Sequence, residues 1–92
     1  GRTPRINGSL GRDHFASAWS AALFGCGIQQ GAVFGKTDED GNTVVEDEVG
    51  AGEVFATVLT AMGVNPLREY HVGDRPIPLV NPGIDVIPSL LT

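Results

Sequence analysis

Hydrophobic and polar positions fall into a clear periodic pattern in one part of the chain. Between residues 52 and 62, apolar side chains recur at spacings of one, three and four, at Val54, Phe55, Val58, Leu59 and Met62. This spacing places them on one stripe of an α-helix. Glu53 lies in the first turn, where the helix dipole favours a carboxylate. Gly63, followed shortly by Pro66, predicts the end of this one clear helix.

Two short apolar runs elsewhere predict strands. Residues 18–24, "AWSAALF", end at a pair of glycines, and residues 32–34 lie between Gly31 and Gly35. Short runs that are apolar on both faces are typical of buried strands in a parallel sheet. Together with the helix, they predict an α/β fold with short parallel strands and long loops.

The remaining segments favour loops and turns. Residues 1–12 are rich in Gly, Pro, Asn and Ser and lack periodicity. The run "KTDEDGNTVVEDE" predicts a solvated turn or loop around Asp40 and Gly41. The segment "REYHVGDRPIPLVNPG" contains three prolines and two glycines. We expect it to be an extended or looped excursion over a surface.

The length of the chain limits how much fold it can hold. It has 92 residues and a single cysteine, Cys26, so no internal disulfide can form. Two strands are too few to form a sheet covered on both faces, and an isolated helix of about eleven residues is marginal in water. We therefore expect residues 1–92 to be a single partial domain, a piece of a larger one.

Charge and hydropathy exclude two classes of partner. The formal net charge is −5, most of it from the acidic run, so nucleic acid is not an expected partner. No apolar run approaches the length of a membrane span.

The candidate chemistry lies in the first loop. His14 follows Arg12 and Asp13 where this loop enters the predicted sheet, and Arg2 adds a second guanidinium. Two arginines in a flexible loop would suit an anionic group beside a metal-bound imidazole. From composition alone, a lone histidine in a loop is more often a surface or capping residue. His71 is interpreted as structural or solvent-exposed, because no second ligand accompanies it. Cys26 is interpreted as a small buried residue at a strand end, because the sequence places no catalytic base beside it.

An ordered series of motifs resembles a known family. The strings "GRTPRIN", "GRDHF", "WSAALFGCGIQQGAVFGKTDEDG", "ATVLTAMGVNP" and "REYHVGDRPIPL" are similar to the C-terminal part of sulfatase-like bacterial proteins of unknown function. That family is classed within the alkaline phosphatase superfamily, and the resemblance covers nearly the whole chain. It implies that residues 1–92 are a C-terminal fragment of an alkaline-phosphatase-like domain and that Gly1 lies inside a parent polypeptide.

The resemblance also implies a metal site in the parent protein. In "GRDH", His14 resembles a ligand of a catalytic divalent metal, with zinc, calcium and manganese not distinguished. Asp13 would then orient the loop from behind the ligand, while Arg2 or Arg12 would hold the anionic oxygens of an ester. The nucleophile and the other ligands of the superfamily lie upstream of this region. The likeness to exported hydrolases implies an extracytoplasmic or periplasmic location.

Two classes of function remain open at this point. The first is a metal-dependent sulfate or phosphate ester hydrolase, of which this chain is a C-terminal portion that is inactive by itself. The second is a non-catalytic sulfatase-like scaffold or binding protein. A weaker third reading is an independent acidic interaction domain.

Overall fold

The computed structural model describes residues 1–92. Its elements, in chain order, are β1 (Lys36–Thr37), β2 (Val44–Glu46), α1 (Ala51–Ala61), β3 (Glu69–Val72), β4 (Arg75–Pro78) and a short 3₁₀ helix (Pro88–Leu90). The backbone divides into two compact units. The first comprises Gly1–Leu23 and Phe34–Glu48, and the second comprises Phe24–Val33 and Val49–Thr92. The single partial domain over residues 1–92 stays a prediction.

The predicted parallel sheet is wrong, because both sheets are antiparallel and two-stranded. In the first unit β1 pairs with β2, and in the second unit β3 pairs with β4. Each pair is joined by a turn of a few residues, whereas parallel strands need a crossover of a dozen residues or more. The α/β fold class with an alkaline-phosphatase-like fragment is corrected accordingly to one helix and two small antiparallel hairpins.

Neither of the two predicted strand segments forms a strand. Residues 18–24 and 32–34 run outside the regular elements. Ala18 is buried, but Trp19 is 46% exposed and Phe24 is 91% exposed. An apolar run becomes a strand only where a neighbouring strand supplies hydrogen-bond partners, and neither segment belongs to a sheet.

The predicted helix is confirmed as α1. The side chain of Glu53 accepts a hydrogen bond of 2.8 Å from the backbone N–H of Gly50, which satisfies a donor at the helix start. At the other end, Gly63 has a φ of 82°, and the N–H of Val64 donates to the carbonyl of Leu59 over 2.8 Å. These contacts form the glycine-ended cap that stops the helix. None of the helices has both the length and the apolar character required to cross a membrane.

The predicted turn around Asp40 and Gly41 is confirmed, and its flanks pair as β1 and β2. Asp38 organises the turn: its carboxylate accepts hydrogen bonds from the backbone N–H of Asn42 at 2.8 Å and from the hydroxyl of Thr43 at 2.9 Å. An Asp side chain that accepts a hydrogen bond from a backbone N–H a few residues further on is a common way to reverse the chain.

The excursion after the helix is a regular hairpin. Val72 pairs with Arg75, so only Gly73 and Asp74 form the connection, and Gly73 has a φ of 62°. A positive φ at the first of two connecting residues is the pattern of a type II′ turn, which matches the twist of antiparallel strands. The sequence predicted an extended or looped excursion here but did not predict that its two halves pair as a hairpin.

The core of the second unit is small and is centred on α1. Ala56 and Thr57 of α1 are buried, together with Val80 and Ile87 from the segment after the second hairpin. Small residues let other segments approach the helix closely. A Cβ placed on Gly27 would lie 3.0 Å from the carbonyl oxygen of Ala61.

Candidate functional site

Residues 1–15 form a closed loop, which we call the basic loop. Its two ends pair as an isolated antiparallel bridge between Arg2 and His14. The bridge is flanked by two backbone hydrogen bonds of 2.9 Å, from the N–H of Thr3 to Asp13 and from the N–H of Phe15 to Gly1. The chain therefore returns beside its own start at His14, twelve residues after Arg2.

The bridge brings together two of the predicted site residues. Because the hydrogen bonds lie on either side of the bridge, Arg2 and His14 occupy a non-hydrogen-bonded pair, the arrangement in which opposite side chains come closest. The guanidinium of Arg2 also donates from Nη1 to the carbonyl oxygen of Arg12 over 3.3 Å. The structure thus places Arg2 next to both His14 and Arg12, and all three residues are exposed.

Asn7 holds the tip of the basic loop. Its side-chain oxygen accepts hydrogen bonds from the backbone N–H groups of Ser9, at 2.9 Å, and Gly11, at 3.1 Å. Its backbone N–H donates to the carbonyl of Gly11 over 2.7 Å. One side chain therefore replaces the regular backbone partners that the tip lacks.

Asp13 lies between the tip and the closing bridge. Its Oδ1 accepts a hydrogen bond of 3.0 Å from Nδ2 of Asn7, and its backbone N–H donates to the hydroxyl of Thr3 over 3.1 Å. The carboxylate thus connects two parts of the loop. Its contacts are to the loop itself.

The basic loop differs in charge from the rest of the chain. It holds three arginines, at positions 2, 5 and 12, against the single carboxylate of Asp13, a net charge of +2. The whole chain has a net charge of −5, so the remaining residues have −7. A local positive charge on an acidic chain, displayed on exposed side chains, favours contact with an anion.

The residues of this chain do not form a complete metal site. No group of three or more His, Cys, Asp and Glu side chains is placed so that it could hold a metal ion. In the basic loop, His14 is the one imidazole, and the neighbouring carboxylate of Asp13 is engaged by Asn7. A catalytic divalent metal needs about three protein ligands, so this chain by itself could supply only a part of such a set.

Sequence reasoning missed Asn7 and Thr3. The dipeptide Asn7–Gly8 is a turn signal, since Asn readily hydrogen-bonds the backbone two residues on. That signal could have identified the loop tip. Two further residues lie in the second unit. His71 is an exposed residue of β3. The predicted burial of Cys26 at a strand end is wrong, because Cys26 is an exposed free cysteine in a turn.

A comparison with known protein families gives one finding. The model of a family described as "Protein of unknown function (DUF1501)" matches residues 1–91. The match includes the basic loop, both hairpins and the helix. No curated protein and no solved structure matches the chain.

Proposed function

The chain belongs to DUF1501, a family of proteins of unknown function, and we propose that its basic loop binds the anionic group of a sulfate or phosphate ester in a sulfatase-like hydrolase. The observation that carries this proposal is the closure of the loop by the bridge between Arg2 and His14. The closure holds an arginine and an imidazole side by side on the surface, with a second arginine adjacent. Guanidinium groups bind sulfate and phosphate oxygens through charge-assisted hydrogen bonds.

The two arginines would have different parts in this site. Arg2 already donates one hydrogen bond within the loop, to the carbonyl of Arg12, so its guanidinium is held in place. The remaining donors of a guanidinium stay available, since the group carries five N–H bonds. Arg12 makes no side-chain contact of this kind and would close on the anion when it binds.

His14 would contribute one ligand to a divalent metal in the complete protein. The further ligands and the nucleophile would come from the upstream part of the same polypeptide, as the resemblance implies. The metal, whether zinc, calcium or manganese, would polarise the ester when bound. Asp13 would fix the loop that carries His14, since its carboxylate holds Asn7.

A second candidate is a non-catalytic sulfatase-like binding protein. It is favoured by the fact that the basic loop offers one imidazole and no second free ligand beside it. Binding of an anion by arginines requires no metal. In this alternative the loop recognises an anionic group and releases it unchanged.

The anion-binding proposal is tested by calorimetric titration of the 92-residue chain with inorganic phosphate and with sulfate. We expect Arg12→Ala to weaken binding about tenfold, the loss of one charge-assisted hydrogen bond. The matched control is Arg75→Ala, an exposed arginine in β4, which should bind as the wild type does. Absence of binding, or equal weakening by the two substitutions, would contradict the proposal.

The metal part of the proposal is tested in the polypeptide that includes the upstream region. Divalent metal is measured by mass spectrometry in the wild type, in His14→Ala and in His71→Ala, a control at the other histidine of the chain. Loss of metal in His14→Ala alone supports the hydrolase and justifies a screen of sulfate and phosphate esters. Anion binding with no bound metal supports the non-catalytic alternative instead.

A further inference from the structure

The second hairpin has one closed edge and one open edge. The backbone N–H of Leu79 donates to the carbonyl of Arg68 over 3.0 Å, so Leu79 directs its N–H towards the β3 side. Backbone groups alternate in direction along a strand, and Pro76 and Pro78 therefore occupy the positions that face outwards. Proline has no N–H. The outer edge of β4 is thus closed to a further strand.

The outer edge of β3 has the opposite character. Glu69 and His71 pair with Pro78 and Pro76, and by the same alternation their N–H and C=O groups point away from β4. They make no backbone hydrogen bond elsewhere in the chain. All four residues of β3 are exposed. An edge with free donors and acceptors is a template for an additional strand.

The face of this hairpin is also incompletely covered. Tyr70 and Val72 share one face of β3, with Ile77 opposite Tyr70 on β4. Tyr70 is 51% exposed and Val72 is 60% exposed. A two-stranded hairpin is marginal in water, and three or more strands with an apolar face are needed for independent stability.

We propose that β3 pairs antiparallel with β3 of a second copy of this chain, giving a four-stranded sheet in the order β4, β3, β3, β4. Hydrogen bonds between the copies can join only residues whose backbone groups point outwards, which are Glu69 and His71. A two-fold axis that relates the two strands can then cross β3 at only three positions, which are Glu69, Tyr70 and His71.

Charge selects the register among these three. An axis at Glu69 would place two glutamates directly opposite each other, which is destabilising. An axis at His71 would leave Glu69 beyond the paired residues of the partner strand. With the axis at Tyr70, Glu69 of each copy lies opposite His71 of the other, and an imidazole N–H can donate to a carboxylate. This register uses the outward groups of Glu69 and His71 in both copies.

The register at Tyr70 also fits the side chains. The two copies of Tyr70 would form a non-hydrogen-bonded pair, in which side chains approach most closely, and aromatic pairs are favourable there. Their rings would lie on the same face as Val72 and Ile77. Assembly would stop at two copies, because the outer edges of the four-stranded sheet are the proline edges of β4.

The inference is tested by cysteine cross-linking of the full 92-residue chain. All variants contain Cys26→Ser, since Cys26 is exposed and would react by itself. In the proposed register, Tyr70→Cys places two cysteines opposite each other, within the range for a disulfide. Val72→Cys is the matched control on the same strand and face. In the same register the two cysteines of this variant would lie four residues apart along the strands, about 13 Å.

The expected result is a covalent dimer for Tyr70→Cys under mild oxidation, formed about tenfold or more faster than for Val72→Cys. Equal rates for the two variants would overturn the register. Sedimentation of the wild-type chain should show a concentration-dependent monomer and dimer, and nothing larger. A chain that stays monomeric, or one that forms open-ended oligomers, would overturn the inference.

A backbone variant tests the edge itself without a cysteine. His71→Pro removes one outward N–H and leaves the bonds to β4 intact, since His71 directs no hydrogen bond to that strand. We expect it to weaken dimer formation by about tenfold or more. His71→Ala keeps the N–H and serves as the control for the side chain. Circular dichroism verifies that each variant keeps the fold, and a folded His71→Pro that dimerises as the wild type does would contradict the inference.

Discussion

The backbone N–H of Ile87 donates a hydrogen bond of 2.9 Å to the hydroxyl of Thr57, thirty residues earlier in the chain. Thr57 is 0% exposed, and its hydroxyl donates in turn to the carbonyl of Glu53 over 2.7 Å. A hydroxyl has one proton to donate and lone pairs to accept with. One buried side chain therefore serves both α1 and the segment before the 3₁₀ helix.

Replacing that hydroxyl is expected to destabilise the chain. Thr57→Val preserves the volume but leaves the buried N–H of Ile87 without an acceptor, which costs about 1–3 kcal/mol. The measurement is the free energy of unfolding in urea. The control is Thr60→Val, whose hydroxyl donates to the carbonyl of Ala56 and accepts nothing. It should cost less than about 1 kcal/mol, and equal losses would show that the contact with Ile87 contributes little.

Two glycines with the same backbone conformation differ in whether an added side chain would meet a neighbouring atom. Gly27 and Gly31 have φ angles of 70° and 71°, so alanine at either position is strained by about 1–2 kcal/mol. Only at Gly27 would the added Cβ meet a neighbour, the carbonyl oxygen of Ala61 at 3.0 Å. We expect Gly27→Ala to lower the free energy of unfolding by at least about 1 kcal/mol more than Gly31→Ala. Thermal or urea unfolding of both variants measures the difference, and equal losses would contradict the close packing at Gly27.

The helix could be predicted because its signals are local. An apolar stripe at helical spacing and a glycine that stops it lie within about a dozen residues, and neither depends on a distant partner. The hairpins depend on pairing, which the sequence shows only indirectly. Gly73–Asp74 between two short segments is a hairpin signal, but the prolines of β4 favoured a loop. These prolines are compatible with a strand because their nitrogen atoms face the outer edge of β4, where no hydrogen bond to β3 is needed. That orientation depends on the register between the two strands, which the sequence does not show.

The candidate site was predictable for a similar reason, and only in part. Arg2, Arg12 and His14 lie within fourteen residues of one another, so a loop that closes on itself brings them together. The part of Asn7 was missed, because its contacts depend on how the chain reverses at the tip. The strand predicted for residues 18–24 was wrong, because an apolar composition indicates burial only where neighbouring segments cover the side chains. Most side chains of this run stay exposed.

The turn of the first hairpin should be sensitive to acid. Hydrogen bonds from the backbone N–H of Asn42 and from the hydroxyl of Thr43 favour the charged form of Asp38 and lower its pKa below the usual 3.8. A folded-state pKa below the unfolded value means that the ionised carboxylate stabilises the fold above pH 3.8. This contribution is lost as the pH falls through the lowered, folded-state pKa.

We therefore expect the free energy of unfolding to fall with acidification below pH 3.8, and Asp38→Asn to reduce this fall. The measurement is urea unfolding at a series of pH values, with the Asp38 carboxyl followed by NMR. Asp40→Asn makes the same charge change in the same turn without touching these hydrogen bonds and should retain the wild-type fall. An Asp38 carboxyl that titrates at or above 3.8 in the folded chain would contradict the prediction.

Asn7 should control the closure of the basic loop. Asn7→Asp keeps the oxygen that accepts from Ser9 and Gly11, but it replaces the Nδ2 donor with a second carboxylate oxygen 3.0 Å from Asp13. The two carboxylates repel each other, so the loop should open more often. Amide hydrogen exchange at Thr3 and Phe15, whose N–H groups close the loop, should accelerate about tenfold or more.

The control for this prediction adds the same charge elsewhere in the same loop. Ser9→Asp adds a carboxylate at an exposed residue of the same loop, whose side chain has no hydrogen bond to Asp13. If the charge alone mattered, both variants would accelerate exchange and weaken phosphate binding equally. If Asn7 positions the loop, only Asn7→Asp should accelerate exchange at Thr3 and Phe15. Its phosphate binding should then fall below that of Ser9→Asp, because an open loop no longer holds Arg2 beside His14 and Arg12.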